Sequence, residues 1–67
     1  MSEFRLRLKE LRTESKFTQK QLAEKLGTTN SSVCDWECGR SEPGIDHIVK
    51  LCKLFEVSAD YLLGLED

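Results

Sequence analysis

Three cysteines and one histidine are the side chains of this 67-residue chain best suited to ligate a metal ion or act as nucleophiles. Cys34 and Cys38 are four residues apart, a spacing that can place both thiols on one side of a helix. A structural zinc site takes four ligands, usually from two closely spaced pairs. Only Cys52 and His47 remain, and they do not share a face of their predicted helix, so we expect no metal site. Cys34 is expected to be a plain small side chain, with an oxidation-sensitive thiol as the alternative.

The sequence contains no recognisable catalytic arrangement. His47 is the only histidine, and no serine or acid is linked to it by a known motif. The sequence also lacks a glycine-rich phosphate loop. We therefore expect neither an enzyme nor a bound cofactor.

The setting expected from the sequence is cytoplasmic. An odd number of cysteines without a signal-peptide core argues against a disulfide framework and for a reducing compartment. No apolar run approaches the roughly 20 residues of a membrane helix, so no membrane partner is expected. With 39% hydrophobic and 33% charged residues, the chain has the composition of one small globular domain.

Capping signals predict two short helices joined by a tight turn over residues 17–37. Thr18 and Gln21 have the spacing of a capping box, in which each side chain bonds the backbone N–H of the other residue. Gly27 can end this helix because glycine adopts the left-handed conformation at little cost. Thr29 is a suitable N-cap for the second helix.

Apolar residues at helical spacing predict the other helices. Phe4, Leu8 and Leu11 recur at i, i+4 and i+7 near the N-terminus. Another stripe begins at Ile45 and ends at Phe55, and we expect both residues to face the core. The predicted fold is all-α, a compact five-helix domain spanning residues 1–67, with helices at about 3–15, 18–26, 30–37, 45–55 and 59–63.

Three sequence segments share an order and spacing with one known family. They are Thr18-Gln19-x-x-Leu22-Ala23-x-x-Leu26-Gly27, Val33-x-x-Trp36-Glu37-x-Gly39-Arg40 and Val57-Ser58-x-Asp60-Tyr61-Leu62-Leu63-Gly64. Together they resemble the helix-turn-helix domain of the Cro/lambda-repressor-like family, also called the XRE family, over about residues 4–64. The resemblance implies a lambda-repressor-like fold in which helices 2 and 3 form the helix-turn-helix. It also implies that helix 3 enters the DNA major groove while helix 2 contacts the backbone.

The resemblance implies a transcriptional regulator, with repression as the family-level expectation. The expected partner is double-stranded DNA carrying an inverted-repeat operator, bound by a homodimer with half-site centres about 34 Å apart. A small-molecule or protein inducer is left unspecified. The chain is compatible with a complete small regulator and with the N-terminal part of a longer one.

A set of polar residues on and around helices 2 and 3 is expected to contact DNA. Asn30 can pair with adenine through two hydrogen bonds, and Asp35 can accept from cytosine N4 or turn along the groove wall. Gln19 at a helix start and Arg40 after helix 3 are expected to contact phosphates. Thr29 could use its hydroxyl on phosphate or its methyl on thymine. The full expected set is Gln19, Thr29, Asn30, Ser31, Cys34, Asp35, Arg40 and Ser41.

The resemblance also implies two structural contacts. Arg12 is expected to form an ion pair with Glu37, which would tie helix 1 to helix 3; the alternative is that both are solvated surface charges. Dimerisation is expected near the C-terminal end, through Tyr61, Leu62 and Leu65. The alternative is that Leu62 fills the core and Leu65 belongs to a frayed tail.

The charge distribution leaves a second class of function open. The formal net charge is −2, whereas DNA-binding domains usually carry a basic surface. Residues 1–40 have eight Lys/Arg against six Asp/Glu, whereas residues 41–67 have two against six, so the half with the helix-turn-helix is the basic one. The alternative is a protein-interaction module of the same fold, such as an antitoxin or an antirepressor partner.

Overall fold

Five α-helices make up the computed structural model, which describes residues 2–66. In chain order they are α1 (Ser2–Glu14), α2 (Gln19–Leu26), α3 (Asn30–Cys38), α4 (Ile45–Phe55) and α5 (Ala59–Leu63). The described residues contain no strand. The predicted all-α, five-helix architecture is confirmed. No helix within this part of the chain is both long and apolar enough to cross a membrane.

The predicted caps begin α2 and α3. The Gln21 backbone N–H donates to Thr18 Oγ1 at 3.0 Å, and the Thr18 backbone N–H donates to Gln21 Oε1 at 2.9 Å. Thr29 Oγ1 accepts from the backbone N–H of Ser32 at 3.1 Å. Each contact satisfies a donor that the first turn of a helix leaves without a backbone partner. Both helix starts are therefore set by residues close in sequence.

Left-handed residues end α2 and α3 and set the direction of the chain that follows. Gly27 has φ +72° and Gly39 has φ +81°. The backbone N–H of the next residue then returns to the helix, at 2.9 Å from Thr28 to the Ala23 carbonyl. Helices commonly end in this way where glycine is available, with two backbone N–H groups bonded to carbonyls of the last turn. It makes the turn between α2 and α3 short and fixed.

The helices enclose one small core. Its fully buried members come from all five helices and include Leu8, Leu22, Leu26, Val33, Leu51 and Leu62. Trp36 is also buried, and its ring lies 5.2 Å from the His47 ring between centroids. Trp36 is therefore a core residue of α3 and offers no face for stacking on a base. The core holds α3 from behind and leaves its other side in solvent.

One core expectation was wrong. Ile45 is 82% exposed although it belongs to the apolar stripe of α4. It is the first residue of that helix, and helical side chains lean toward the N-terminus, so Ile45 points past the packed part of the bundle. The stripe of α4 is buried completely only at Leu51, while Phe55 packs partly buried against the core.

Candidate nucleic-acid interface

The outer side of α3 carries the polar residues expected to read DNA. Asn30 and Ser31 are exposed, and Cys34 and Asp35 are half-buried. Residues 30 and 34, and residues 31 and 35, are each one helical turn apart, so they form one continuous surface. The opposite side of α3 is buried in the core. The fold therefore brings the four expected helix residues together on an accessible face.

The hydroxyl of Thr29 is already engaged at the start of α3. It accepts from the Ser32 backbone N–H at 3.1 Å and bonds the Ser32 hydroxyl at 3.0 Å. Of the two roles expected for Thr29, this arrangement leaves the methyl group free for a contact and gives the hydroxyl a capping role.

A buried carboxylate fixes α3 against the first two helices. Glu37 is 8% exposed. Arg12 donates to it twice, from Nε to Oε2 at 2.6 Å and from Nη2 to Oε1 at 3.1 Å. Arg12 also donates through Nη1 to the Phe17 carbonyl at 2.8 Å. The ion pair expected between Arg12 and Glu37 is present, and it links α1, the segment before α2, and α3.

Gln19 is a third member of this cluster, and its contact with Glu37 was not predicted from the sequence. Its Nε2 donates to Glu37 Oε1 at 3.0 Å. The two residues are 18 positions apart and lie on different helices, so no local spacing indicates the contact. A glutamine amide has two N–H donors, and one bond to Glu37 leaves the other available. The contact fixes the position of the Gln19 amide at the start of α2, where the expected phosphate contact would form.

Asp35 and Arg40 form an exposed pair at the C-terminal end of α3. Arg40 Nη1 lies 3.4 Å from Asp35 Oδ1, with 71% of the Arg40 side chain and 39% of the Asp35 side chain exposed. The left-handed turn at Gly39 brings them together, since the Arg40 backbone N–H donates to the Asp35 carbonyl at 2.9 Å. Pairs this exposed stabilise a fold by about 0–1 kcal/mol, so Arg40 can leave Asp35 for another anion at low cost. Ser41 follows and is exposed.

The C-terminal residues expected at a dimer interface have different environments. Leu62 is completely buried in the core, so the structure corrects its assignment to an interface: the side chain has no surface left for a partner. Tyr61 is partly covered, because the Arg7 guanidinium lies 4.3 Å from its ring centroid. Leu65 is 70% exposed. Arg7 also donates to the carbonyls of Tyr61 and Glu66 and is therefore a structural residue of this end.

Comparison with known proteins places these features in a family. A family model described as helix-turn-helix matches residues 8–62, and relatives along most of the chain are HTH-type transcriptional regulators. The chain belongs to the XRE-like helix-turn-helix family. The resemblance noted in the sequence is thereby confirmed, and the family is a class of transcriptional regulators rather than of enzymes.

Two relatives come from Bacillus subtilis. The uncharacterized HTH-type transcriptional regulator YobD is 46% identical over 61 residues, covering 91% of this chain and 54% of YobD. The HTH-type transcriptional regulator ImmR is 43% identical over 61 residues, covering 91% of this chain and 48% of ImmR. The chain thus spans about half the length of each of these relatives.

A solved structure of similar fold contains DNA. The P22 c2 repressor, crystallised with synthetic operator 9T, superimposes with a TM-score of 0.85 and 27% sequence identity. The match covers 92% of this chain and 94% of the repressor chain. The lambda-repressor-like fold expected from the sequence is confirmed along nearly the whole chain.

Proposed function

We propose that this protein is a sequence-specific DNA-binding regulator of transcription, which acts as a homodimeric repressor and inserts α3 into the major groove. The observation that carries the proposal is the exposed polar face of α3, which is held in place by the contacts of Arg12 and Gln19 with the buried Glu37 carboxylate. Membership of the helix-turn-helix family and the likeness to a repressor crystallised with its operator support it.

Base reading is assigned to the outer face of α3. Asn30 and Ser31 are exposed in the first turn, where recognition helices commonly contact base edges. Asn30 suits adenine, whose N6 and N7 match the donor and acceptor of its amide. Cys34 and the Thr29 methyl group suit thymine methyl groups, and Asp35 suits cytosine N4. Guanine reading by arginine is not expected from α3, because the helix carries no Arg or Lys.

Phosphate contacts are assigned to both ends of the helix pair. Gln19 keeps one amide N–H beyond its bond to Glu37 and lies at the N-terminus of α2, where backbone N–H groups favour an anion. Arg40 would exchange its weak contact with Asp35 for a phosphate, and Ser41 would add a neutral hydrogen bond. Binding should be sensitive to salt, since each neutralised phosphate releases counterions.

The dimer would present two copies of α3 to half-sites about 34 Å apart. Leu65 and the uncovered part of Tyr61 are the residues of the expected interface that still offer surface. We assign the protein to the cytoplasm, because a regulator acts where the DNA is and the relatives come from bacteria, whose DNA lies in the cytoplasm.

Selection from random duplexes tests the proposal directly. Purified protein is mixed with the pool at low salt, the retained DNA is sequenced, and the selected duplex is titrated against salt. We expect an inverted repeat with half-sites about one helical turn apart and affinity that falls steeply with salt. Asp35→Asn is a useful companion variant, because it removes a negative charge from the groove face and should change preference at one base pair.

The second candidate is a protein-interaction module of the same fold. The net charge of −2 and the absence of Arg and Lys from α3 favour it. A protein that is a stable dimer in solution but enriches no DNA sequence would support this candidate over the regulator.

A further inference from the structure

Cys34 and Cys38 form a thiol pair at the edge of the α3 surface. Their Sγ atoms are 3.9 Å apart, one helical turn along the same side. Cys38 is exposed and Cys34 is half-buried, so both sulfurs can be reached from solvent. Both cysteines are free thiols, and the function proposed above gives Cys38 no role.

The separation of the sulfurs matches one edge of a tetrahedral metal–thiolate site. With metal–sulfur bonds of about 2.3 Å, two sulfurs on one tetrahedral ion lie about 3.8 Å apart. The two thiolates could therefore bind one ion while α3 stays intact.

A disulfide fits the same pair poorly. It needs the sulfurs within about 2.05 Å and the Cβ atoms within about 3.5–4.5 Å. Cβ atoms one helical turn apart are about 5–6 Å from each other, so a disulfide between Cys34 and Cys38 would distort the last turn of α3. The geometry of the helix therefore permits chelation of an ion and disfavours oxidation to a disulfide.

We propose that Cys34 and Cys38 form a two-thiolate binding site for a thiophilic divalent cation of the zinc and cadmium class on the outer side of α3. The site differs from a structural zinc site. No group of three or more His, Cys, Asp or Glu side chains suited to a metal ion occurs within residues 2–66, so solvent or a small-molecule thiol completes the coordination. Such a site is open and exchangeable.

Proton release accompanies binding. Each thiol loses its proton as its sulfur bonds the cation, so one ion replaces two protons and the net charge of the surface is unchanged. The pKa of the Cys34 thiol is raised by its hydrogen bond with Cys38 and by the charge of that neighbour. Burial and Asp35 raise it further, while Arg40 lowers it. Because the cation and protons compete for the same two sulfurs, binding of the cation should weaken as the pH falls.

Occupancy would oppose DNA binding, a consequence that rests on the proposed function. Cys34 lies on the surface assigned to base contact, and a coordinated ion with its remaining ligands would add bulk there. The release of two protons offsets the charge of the ion, so the surface gains no positive charge. No new attraction for phosphate therefore offsets the added bulk. Binding of the cation and binding of the operator should weaken each other by the same factor.

Titration of the reduced protein with cadmium chloride tests the site without DNA. The ultraviolet charge-transfer absorption of cadmium thiolate reports binding, and we expect saturation at one ion per chain. Cys34→Ser and Cys38→Ser should each weaken binding by at least about tenfold, because soft cations prefer thiolate to hydroxyl ligands. Cys52→Ser is the matched control and should bind as the parent does, since Cys52 packs against the core. Circular dichroism verifies that each variant is folded.

Two results would overturn the proposal: binding by Cys34→Ser or Cys38→Ser with parental affinity, or saturation at one ion per two chains with cadmium-dependent dimers. The effect on DNA is measured separately, as cadmium inhibition of operator binding by the parent and by the double serine variant. Inhibition of the parent alone supports the conclusion that the bound cation opposes DNA binding. Equal inhibition of the parent and the double serine variant overturns it. If the protein binds no DNA, the proposed function fails while the cadmium titration still decides the site.

Discussion

Replacing Glu37 with glutamine should destabilise the domain severely. The Arg12 and Glu37 side chains are 13% and 4% exposed, and Glu37 accepts three hydrogen bonds. Removing one partner of such a buried pair costs about 3–5 kcal/mol, because the remaining charge has no counterion. We expect about 3 kcal/mol, since Arg12 keeps its bond to the Phe17 carbonyl and a glutamine oxygen can still accept from Arg12. A domain of this size has a total stability of roughly 3–10 kcal/mol.

Urea unfolding, monitored by circular dichroism, measures the change in the free energy of unfolding. Asp35→Asn is the matched control. It makes the same chemical substitution on the same helix, where an acid also faces an arginine. The Asp35 pair is longer, at 3.4 Å, and exposed, so its loss should change the free energy of unfolding by less than about 1 kcal/mol. The Glu37→Gln difference should persist at high salt, because a buried pair is poorly screened.

A loss below about 1 kcal/mol for Glu37→Gln, or equal losses for both variants, would refute the assignment of a buried structural charge pair. A second variant separates charge from packing. Replacing Arg12 and Glu37 together with methionine removes both charges, and this double variant should be more stable than Glu37→Gln alone. A double variant that is less stable would show that the hydrogen bonds themselves, and not the unpaired charge, dominate.

Four further predictions have defined outcomes. Asn30→Ala should weaken operator binding by about 1–3 kcal/mol and relax preference at one base pair, whereas an equal loss on all sequences would contradict base reading. Arg40→Ala should weaken binding to all duplexes and reduce the salt slope by about one, and an unchanged slope in the salt titration would remove Arg40 from the backbone contacts. Gly64→Ala should lower the free energy of unfolding in urea by more than about 2 kcal/mol, because Gly64 has φ +81° and an added Cβ would collide with a side chain of α1. Gly44→Ser is the control and should change the free energy of unfolding by only about a few tenths of a kcal/mol. Glu56→Gly should stabilise by about 0.5–1 kcal/mol, since Glu56 ends α4 at φ +56°, and a lower melting temperature would contradict strain at this position.

Much of the candidate site could be predicted because its signals are local. The cap at Thr18, the stop at Gly27 and the cap at Thr29 are each predicted from about one helical turn of sequence, and together they delimit α2 and mark the start of α3. The inward positions of Val33 and Trp36 then assign the opposite side of α3 to solvent. Helix periodicity is a property of the backbone, so these inferences need no knowledge of the neighbours.

The structure was needed wherever a side chain has a choice of partners. Gln19 bonds Glu37 across 18 positions, and Leu62 fills the core instead of a dimer surface. Ile45 is exposed although its stripe is apolar, because the bundle does not extend over the first turn of α4. Sequence patterns give the direction of a side chain relative to its own helix, but not what the other helices place in front of it.

The thiol pair shows both contributions. The sequence by itself determined that Cys34 and Cys38 lie on one side of α3, because four residues make about one helical turn. Only the tertiary structure decided that this side, where the two sulfurs lie 3.9 Å apart, is open to solvent. The physical reason is the same throughout this protein. Short-range hydrogen bonding and periodicity determine where each helix begins, ends and turns, whereas the packing of five helices around a small core determines which side chains are left accessible for binding.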